Sequence, residues 1–170
     1  MDTLWAPWRK GYVIKTDKDK GCVFCRDFRE GTERDDRKNL VLLRGEKSGL
    51  ILNLYPYNNG HLMAVPKRHI SDLAQLQPDE AAEIFRLTQV ALEGLKKVLK
   101  PHGFNIGINL GKAAGAGIAG HLHLHIVPRW QGDCNFMPVV SGTKSIPDSL
   151  DILYRELGRE VRKLWQKKNK

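Results

Sequence analysis

Apolar and polar positions along the chain fall into short apolar runs, then a long helical repeat, two alternating runs and a second helical repeat. Residues 40–43, 50–54 and 62–65 are brief and largely apolar, parted by Gly45, Gly49 and the turn-rich Pro56-Tyr57-Asn58-Asn59-Gly60. Runs of that length between turn formers predict antiparallel strands. Pro66 closes the third, because proline cannot donate to a ladder. Ala81, Ile84, Phe85, Thr88, Ala91, Leu92, Leu95, Val98 and Leu99 then recur at helical spacing, with Pro78 near the start and Pro101 and Gly103 past the end. This pattern predicts one long amphipathic helix.

Phe104, Ile106, Ile108 and Leu110 alternate with Asn105, Gly107 and Asn109, so a strand here sets its apolar side chains on a core and Asn109 on the opposite face. The alternation returns at His121-Leu122-His123-Leu124-His125-Ile126, with imidazoles on one side and aliphatics on the other. Leu150, Leu153, Tyr154, Leu157, Val161, Leu164 and Trp165 mark a second amphipathic helix, for which Ser145 and Pro147 offer a start. Residues 17–38 are dense in charge and read as loop around a short element at residues 22–28. No internal repeat or low-complexity tract interrupts this order.

The pattern calls for one α+β domain over residues 1–170: an antiparallel five-stranded sheet with a long helix packed on it and a C-terminal helix. Composition narrows the class. No apolar run is long enough to cross a bilayer, and residues 1–11 lack the apolar segment of a signal peptide, so no membrane partner and a cytoplasmic location are expected. Cysteines number three, an odd count with Cys22 and Cys25 in a Cys-x-x-Cys pair, which suits metal or reduced thiols better than a secreted disulfide framework. A formal charge of +9 favours anionic partners, though Arg162, Lys163, Lys167, Lys168 and Lys170 place part of it in a solvated tail. Charge alone does not separate a nucleotide from a nucleic acid.

The chemistry concentrates in the histidine run. Imidazoles two residues apart on one strand face are spaced about 6.5 to 7 Å along it, close enough for neighbours to touch one phosphate chain. One such histidine is more simply a satisfied surface group, and a metal-binding strand is the other plain reading. Three in register, entered from the small-residue run Gly111-Lys112-Ala113-Ala114-Gly115-Ala116-Gly117-Ile118-Ala119-Gly120, favour phosphate, because such a run can present main-chain N–H groups to anionic oxygens. Gly115, Gly117 and Gly120 also fit G-x-G-x-x-G, but a dinucleotide-binding glycine run must open a helix and this one opens an alternating strand.

His121-Leu122-His123-Leu124-His125-Ile126-Val127 resembles the H-φ-H-φ-H-φ-φ signature of the histidine-triad (HIT) superfamily, φ being apolar. Gly60-His61-Leu62-Met63-Ala64-Val65-Pro66-Lys67-Arg68-His69 is similar to that family's other conserved block. Leu4-Trp5-Ala6-Pro7-Trp8-Arg9, Pro128-Arg129-Trp130-Gln131-Gly132-Asp133 and Asn135-Phe136-Met137-Pro138 look more like its diadenosine tetraphosphate phosphorylase-type members than its smallest ones. The resemblance covers about residues 20–130, which implies a core there between an N-terminal strap and a C-terminal helical extension.

The resemblance implies that His123 attacks the α-phosphorus of a nucleoside polyphosphate to form a covalent nucleotidyl-histidine. It implies that His125 polarises the phosphate, that His121 supports the triad, and that N–H groups near Gly115 and Gly117 steady developing charge. Asn109 matches a phosphate-reaching position. Asn53 falls where relatives bind ribose hydroxyls, with Ile51 and Leu54 walling the base; a strand-end turn role for Asn53 is the equal alternative. Cys22, Cys25, His69 and His121 are reminiscent of the structural zinc site of some relatives, a set whose filled shell leaves no position for a catalytic water. His121 could instead orient His123 without metal. His61 is assigned to strand pairing only, and Cys134 and His102 to no role.

Cleavage of dinucleoside polyphosphates, by phosphate or by water, is therefore expected from a homodimer with no organic cofactor. Hydrolysis of other nucleoside phosphate derivatives, removal of AMP from adenylylated nucleic-acid ends and simple nucleotide binding are the alternatives. The second lacks an appended DNA grip, and the third sits poorly with an intact His123.

Overall fold

The computed structural model describes residues 21–28, 33–133 and 146–168. Cys134, Ser145 and the motifs at residues 4–9 and 135–138 lie outside them. Two short helices, α1 (Val23–Asp27) and α2 (Glu33–Asn39), precede β1 (Val41–Arg44), β2 (Ser48–Leu52) and β3 (Leu62–Pro66). Helix α3 (Pro78–Val98) follows, then β4 (Gly103–Ile108), β5 (Leu124–Arg129) and α4 (Leu150–Lys168). The five strands form one antiparallel sheet in the order β1-β2-β3-β5-β4.

The alternation seen in the sequence becomes the two faces of this sheet. Leu50, Leu52, Leu62, Ala64, Leu124 and Ile126 join Ile84, Leu87, Ala91 and Leu95 of α3 and Leu153, Leu157 and Val161 of α4 in the main core. Each aliphatic side chain fully withdrawn from water here contributes about 1.5–3 kcal/mol. Helix α3 begins where Pro78 suits the first turn, and Gln77 and Glu80 exchange capping bonds. Arg68 holds the buried Glu80 carboxylate through two bonds and thereby ties α3 to the chain leaving β3.

The opposite face carries a smaller cluster, in which Phe24 of α1 and Phe28 just past its end pack on Val41, Ile51, Met63 and Val65. Phe28 lies directly against Gly49, where any Cβ would collide with the ring. Gly60 is needed for a second reason: it takes φ +70° in the turn before β3, with Leu99 and Leu95 crowding its Cα.

Several boundaries depart from the sequence reading. The charged stretch at residues 33–39 is a helix, not loop, and Arg37 on it makes a two-bond contact with Asp151 of α4. β4 ends at Ile108, so Asn109 and Leu110 lie beyond it, and Ile106 and Leu110 remain 45% and 43% exposed. They lie on or just past β4, one of the sheet's two edge strands. β5 begins at Leu124, which leaves His121 and His123 on an extended lead-in. Among the described residues, no helix is long and apolar enough to cross a membrane.

Candidate active site

The lead-in to β5 keeps the strand's alternation although it is not laddered. Leu122, Leu124 and Ile126 are buried, and the imidazoles turn to the face covered by α1. His123 and His125 meet edge to face with centroids 4.7 Å apart, while Phe24 stands 5.3 Å from His121 and 5.2 Å from His123. Sequence spacing therefore brings the triad together, but its members face different neighbours.

His123 Nδ1 donates to the main-chain carbonyl of His121 at 2.8 Å. A proton held there leaves Nε2 with a lone pair, the state a nucleophile needs. Burial lowers the affinity of His123 for a second proton, opposed by that carbonyl bond.

His125 is fixed the other way. The Tyr57 main-chain N–H donates to His61 Nδ1 at 3.0 Å, so His61 carries its proton on Nε2. His61 Nε2 then donates to His125 Nδ1 at 2.9 Å, and the proton of His125 must sit on Nε2. That Nε2 is buried and has no partner among the described residues. A buried donor left unpaired is costly and suits a site built for an incoming acceptor. Burial pushes His125 down to about 4 and His61 to about 3, with neighbouring imidazoles adding to both shifts. Two neutral rings thus present opposite functions, a lone pair on His123 and an N–H on His125.

His121 faces away from this pair. Its Nε2 donates to the Pro66 carbonyl at 2.8 Å, which leaves Nδ1 unprotonated. That atom lies 3.2 Å from Cys22 Sγ, 3.5 Å from Cys25 Sγ and 3.3 Å from His69 Nδ1, and Cys25 Sγ lies 3.3 Å from His69 Nδ1. All four donor atoms fall within 4.8 Å of one another. Bonds of about 2.0 Å to nitrogen and 2.3 Å to sulfur give a tetrahedron edges of roughly 3.3–3.8 Å, so the set fits a zinc-sized ion.

The other expected residues are placed less uniformly. Asn53 donates from Nδ2 to His61 Nδ1 at 3.3 Å and accepts the Tyr55 N–H at 2.9 Å. Ile51 is buried beneath α1, whereas Leu54 is 57% exposed. Asn109 is half-buried just past β4. Gly115 gives its N–H to Lys112 O within a 3-10 turn and so does not offer it to a ligand, because the loop closes on itself there. No such bond engages the N–H of Gly117 among the described residues. Ile118 anchors the loop against the α1 cluster. Sequence reasoning missed His61, whose ring touches His125; it lies one residue before β3 and two before Met63, the partner of His125, so the period-two alternation that puts it on the triad's face was the available signal.

The HIT domain profile matches residues 34–132. The chain belongs to the histidine-triad (HIT) family. Among HIT proteins, it is 43% identical over 164 residues to a Mycobacterium tuberculosis protein named AP-4-A phosphorylase, an alignment that spans 94% of this chain and 84% of that one. A bis(5′-nucleosyl)-tetraphosphatase of Schizosaccharomyces pombe is 33% identical over 55% of this chain and 50% of its own. The crystal structure of a Zn-bound HIT family protein from Mycobacterium smegmatis superposes with a TM-score of 0.64 at 28% identity, covering 86% of this chain and 96% of that one.

Proposed function

We propose that this HIT protein cleaves dinucleoside polyphosphates of the diadenosine tetra- or triphosphate type through a nucleotidyl-His123 intermediate. The observation that carries the reading is the opposed protonation of two touching rings, His123 bonded through Nδ1 and His125 with an unpartnered Nε2–H. His123 Nε2 attacks the α-phosphorus, the P–N bond forms, and the P–O bond to the departing polyphosphate breaks with its electron pair on oxygen. His125 Nε2–H meets the phosphate oxygens where that charge develops. Phosphate or water then attacks the same phosphorus and restores His123. Identity to a named phosphorylase supports phosphate as the acceptor.

On this reading Asn53 touches ribose, Leu54 and Ile51 lie toward the base, and Asn109 and the Gly117 region reach the phosphates. Cys22, Cys25, His69 and His121 hold a structural zinc, supported by the donor spacing and the Zn-bound relative. The ion would fasten α1 to the segment that carries His123. A homodimer is the assembly we propose, supported by β4, an edge strand bearing exposed Ile106.

Incubation with diadenosine tetraphosphate, with and without inorganic phosphate, tests the activity. ADP plus ATP identifies phosphorolysis, and AMP plus ATP identifies hydrolysis. Absence of both products from the wild-type protein would sink the proposal.

A further inference from the structure

Two donors converge on one ring nitrogen of His61. The Tyr57 main-chain N–H reaches Nδ1 at 3.0 Å and the Asn53 side-chain Nδ2 reaches it at 3.3 Å. Asn53 cannot turn its oxygen to that nitrogen without losing the Tyr55 N–H, which it accepts on Oδ1 at 2.9 Å. The turn bearing Tyr57 is itself clamped: Asn58 donates from Nδ2 to Pro128 O and to Asp133, and Asn58 O accepts the His61 N–H. With both donors on Nδ1, a neutral His61 can hold its proton only on Nε2, and His125 Nδ1 can only accept it as a hydrogen bond.

We propose that Asn53 is a positioning residue for departure of the leaving group: its amide, the second donor on His61 Nδ1 beside the Tyr57 N–H, reinforces the proton arrangement of His61, and through it keeps the N–H of His125 aimed at the departing oxygen. This rests on the reading of His123 as nucleophile, and goes beyond a ribose contact for Asn53. No proton need leave His125. Its N–H hydrogen-bonds an oxygen that gains the electron pair of the broken P–O bond, so the benefit grows with the charge that oxygen must bear. The charged or titratable groups facing His61 are His125, His123 and Tyr57, whose ring is tilted 44° against it with centroids 4.6 Å apart.

Two readouts separate this from a ribose-only or purely structural role. Long-range proton–nitrogen NMR on the 15N-histidine-labelled full chain assigns each ring proton directly. The wild type is expected to show His61 and His125 both protonated on Nε2, and a proton on Nδ1 of either ring overturns the proposal without any variant. Asn53→Asp replaces the donor with a carboxylate, and its His61 is expected to titrate at least about one pH unit higher; an unmoved titration counts against the lock. The second readout compares p-nitrophenyl and phenyl esters of AMP, which transfer the same nucleotide but differ in leaving-group basicity. Asn53→Ala is expected to lower kcat for the phenyl ester about 3- to 10-fold more than for the p-nitrophenyl ester. Equal losses on both esters, or a change in KM alone, assign Asn53 to nucleotide binding and overturn the proposal. If the wild type forms no nucleotidyl-histidine from either ester, the nucleophile reading itself fails, an outcome visible before any Asn53 variant is measured.

Discussion

At the residue scale the site works by assigning protons rather than by accumulating charge. His123, His125 and His61 are all shielded and all held below the ordinary imidazole range, chiefly by burial. For His61 and His125 this ties stability to pH with a definite sign. Their affinity for protons is lower in the folded state, so between pH 6.5 and about 4 the unfolded chain binds protons that the folded chain refuses. Stability therefore falls as pH drops through that window and is flat above it. Urea titrations at pH 7.5, 5.5 and 4.5 should show the midpoint decreasing over the last two, with a smaller decrease in His61→Gln. Loss of the lone pair has a larger effect on rate. His123→Ala should lower turnover by about 10³-fold or more, the scale seen when a nucleophile is removed from a working constellation, and should abolish labelled nucleotidyl-protein on a denaturing gel.

At the scale of elements, α1 and the turn before β3 act as the site's two brackets. Helix α1 is only five residues long, too short to persist alone. Phe24 and Phe28 dock it, and the Cys22, Cys25, His69 and His121 donors converge at its start. Cys22→Ser should lower bound zinc from about one equivalent toward zero by elemental analysis. It should also lower the thermal midpoint, since ion binding to a site absent from the unfolded chain adds to folding free energy. Retention of full zinc by the variant would remove Cys22 from the ligand set. The other bracket depends on Gly60, whose positive φ and crowding by Leu99 leave no room for a side chain. Gly60→Ala should cost about 1–3 kcal/mol in denaturant unfolding.

At the scale of the molecule, the sheet is covered by α3 and α4 on one face and by α1 on part of the other, while β4 stays open as an outer strand. The free edge of β4, which carries a 45%-exposed isoleucine, is the surface we propose for a second copy. Ile106→Lys should shift sedimentation equilibrium from dimer toward monomer at micromolar concentration, with unchanged far-UV circular dichroism. A wild type that sediments as a monomer would refute the pairing.

Alternation and helical repeat in the sequence determined the five strands, the two long helices and the side of the sheet to which His123 and His125 turn, because these depend only on local periodicity and on which side chains leave water. The histidine signature determined the family for the same local reason, its residues being adjacent in the chain. Helix α2 was hidden because its seven residues carry charge rather than an apolar stripe, and its place depends on β1 and α4. Which nitrogen of His61, His125 and His121 holds a proton was equally out of reach. That is decided by partners from Asn53, Tyr57 and Pro66, brought to the rings only when the turn before β3 closes and β3 pairs with β5. The four-donor cluster was anticipated from family resemblance, but its spacing exists only once α1 lies on the sheet, because its ligands are separated by as many as 99 positions in the chain.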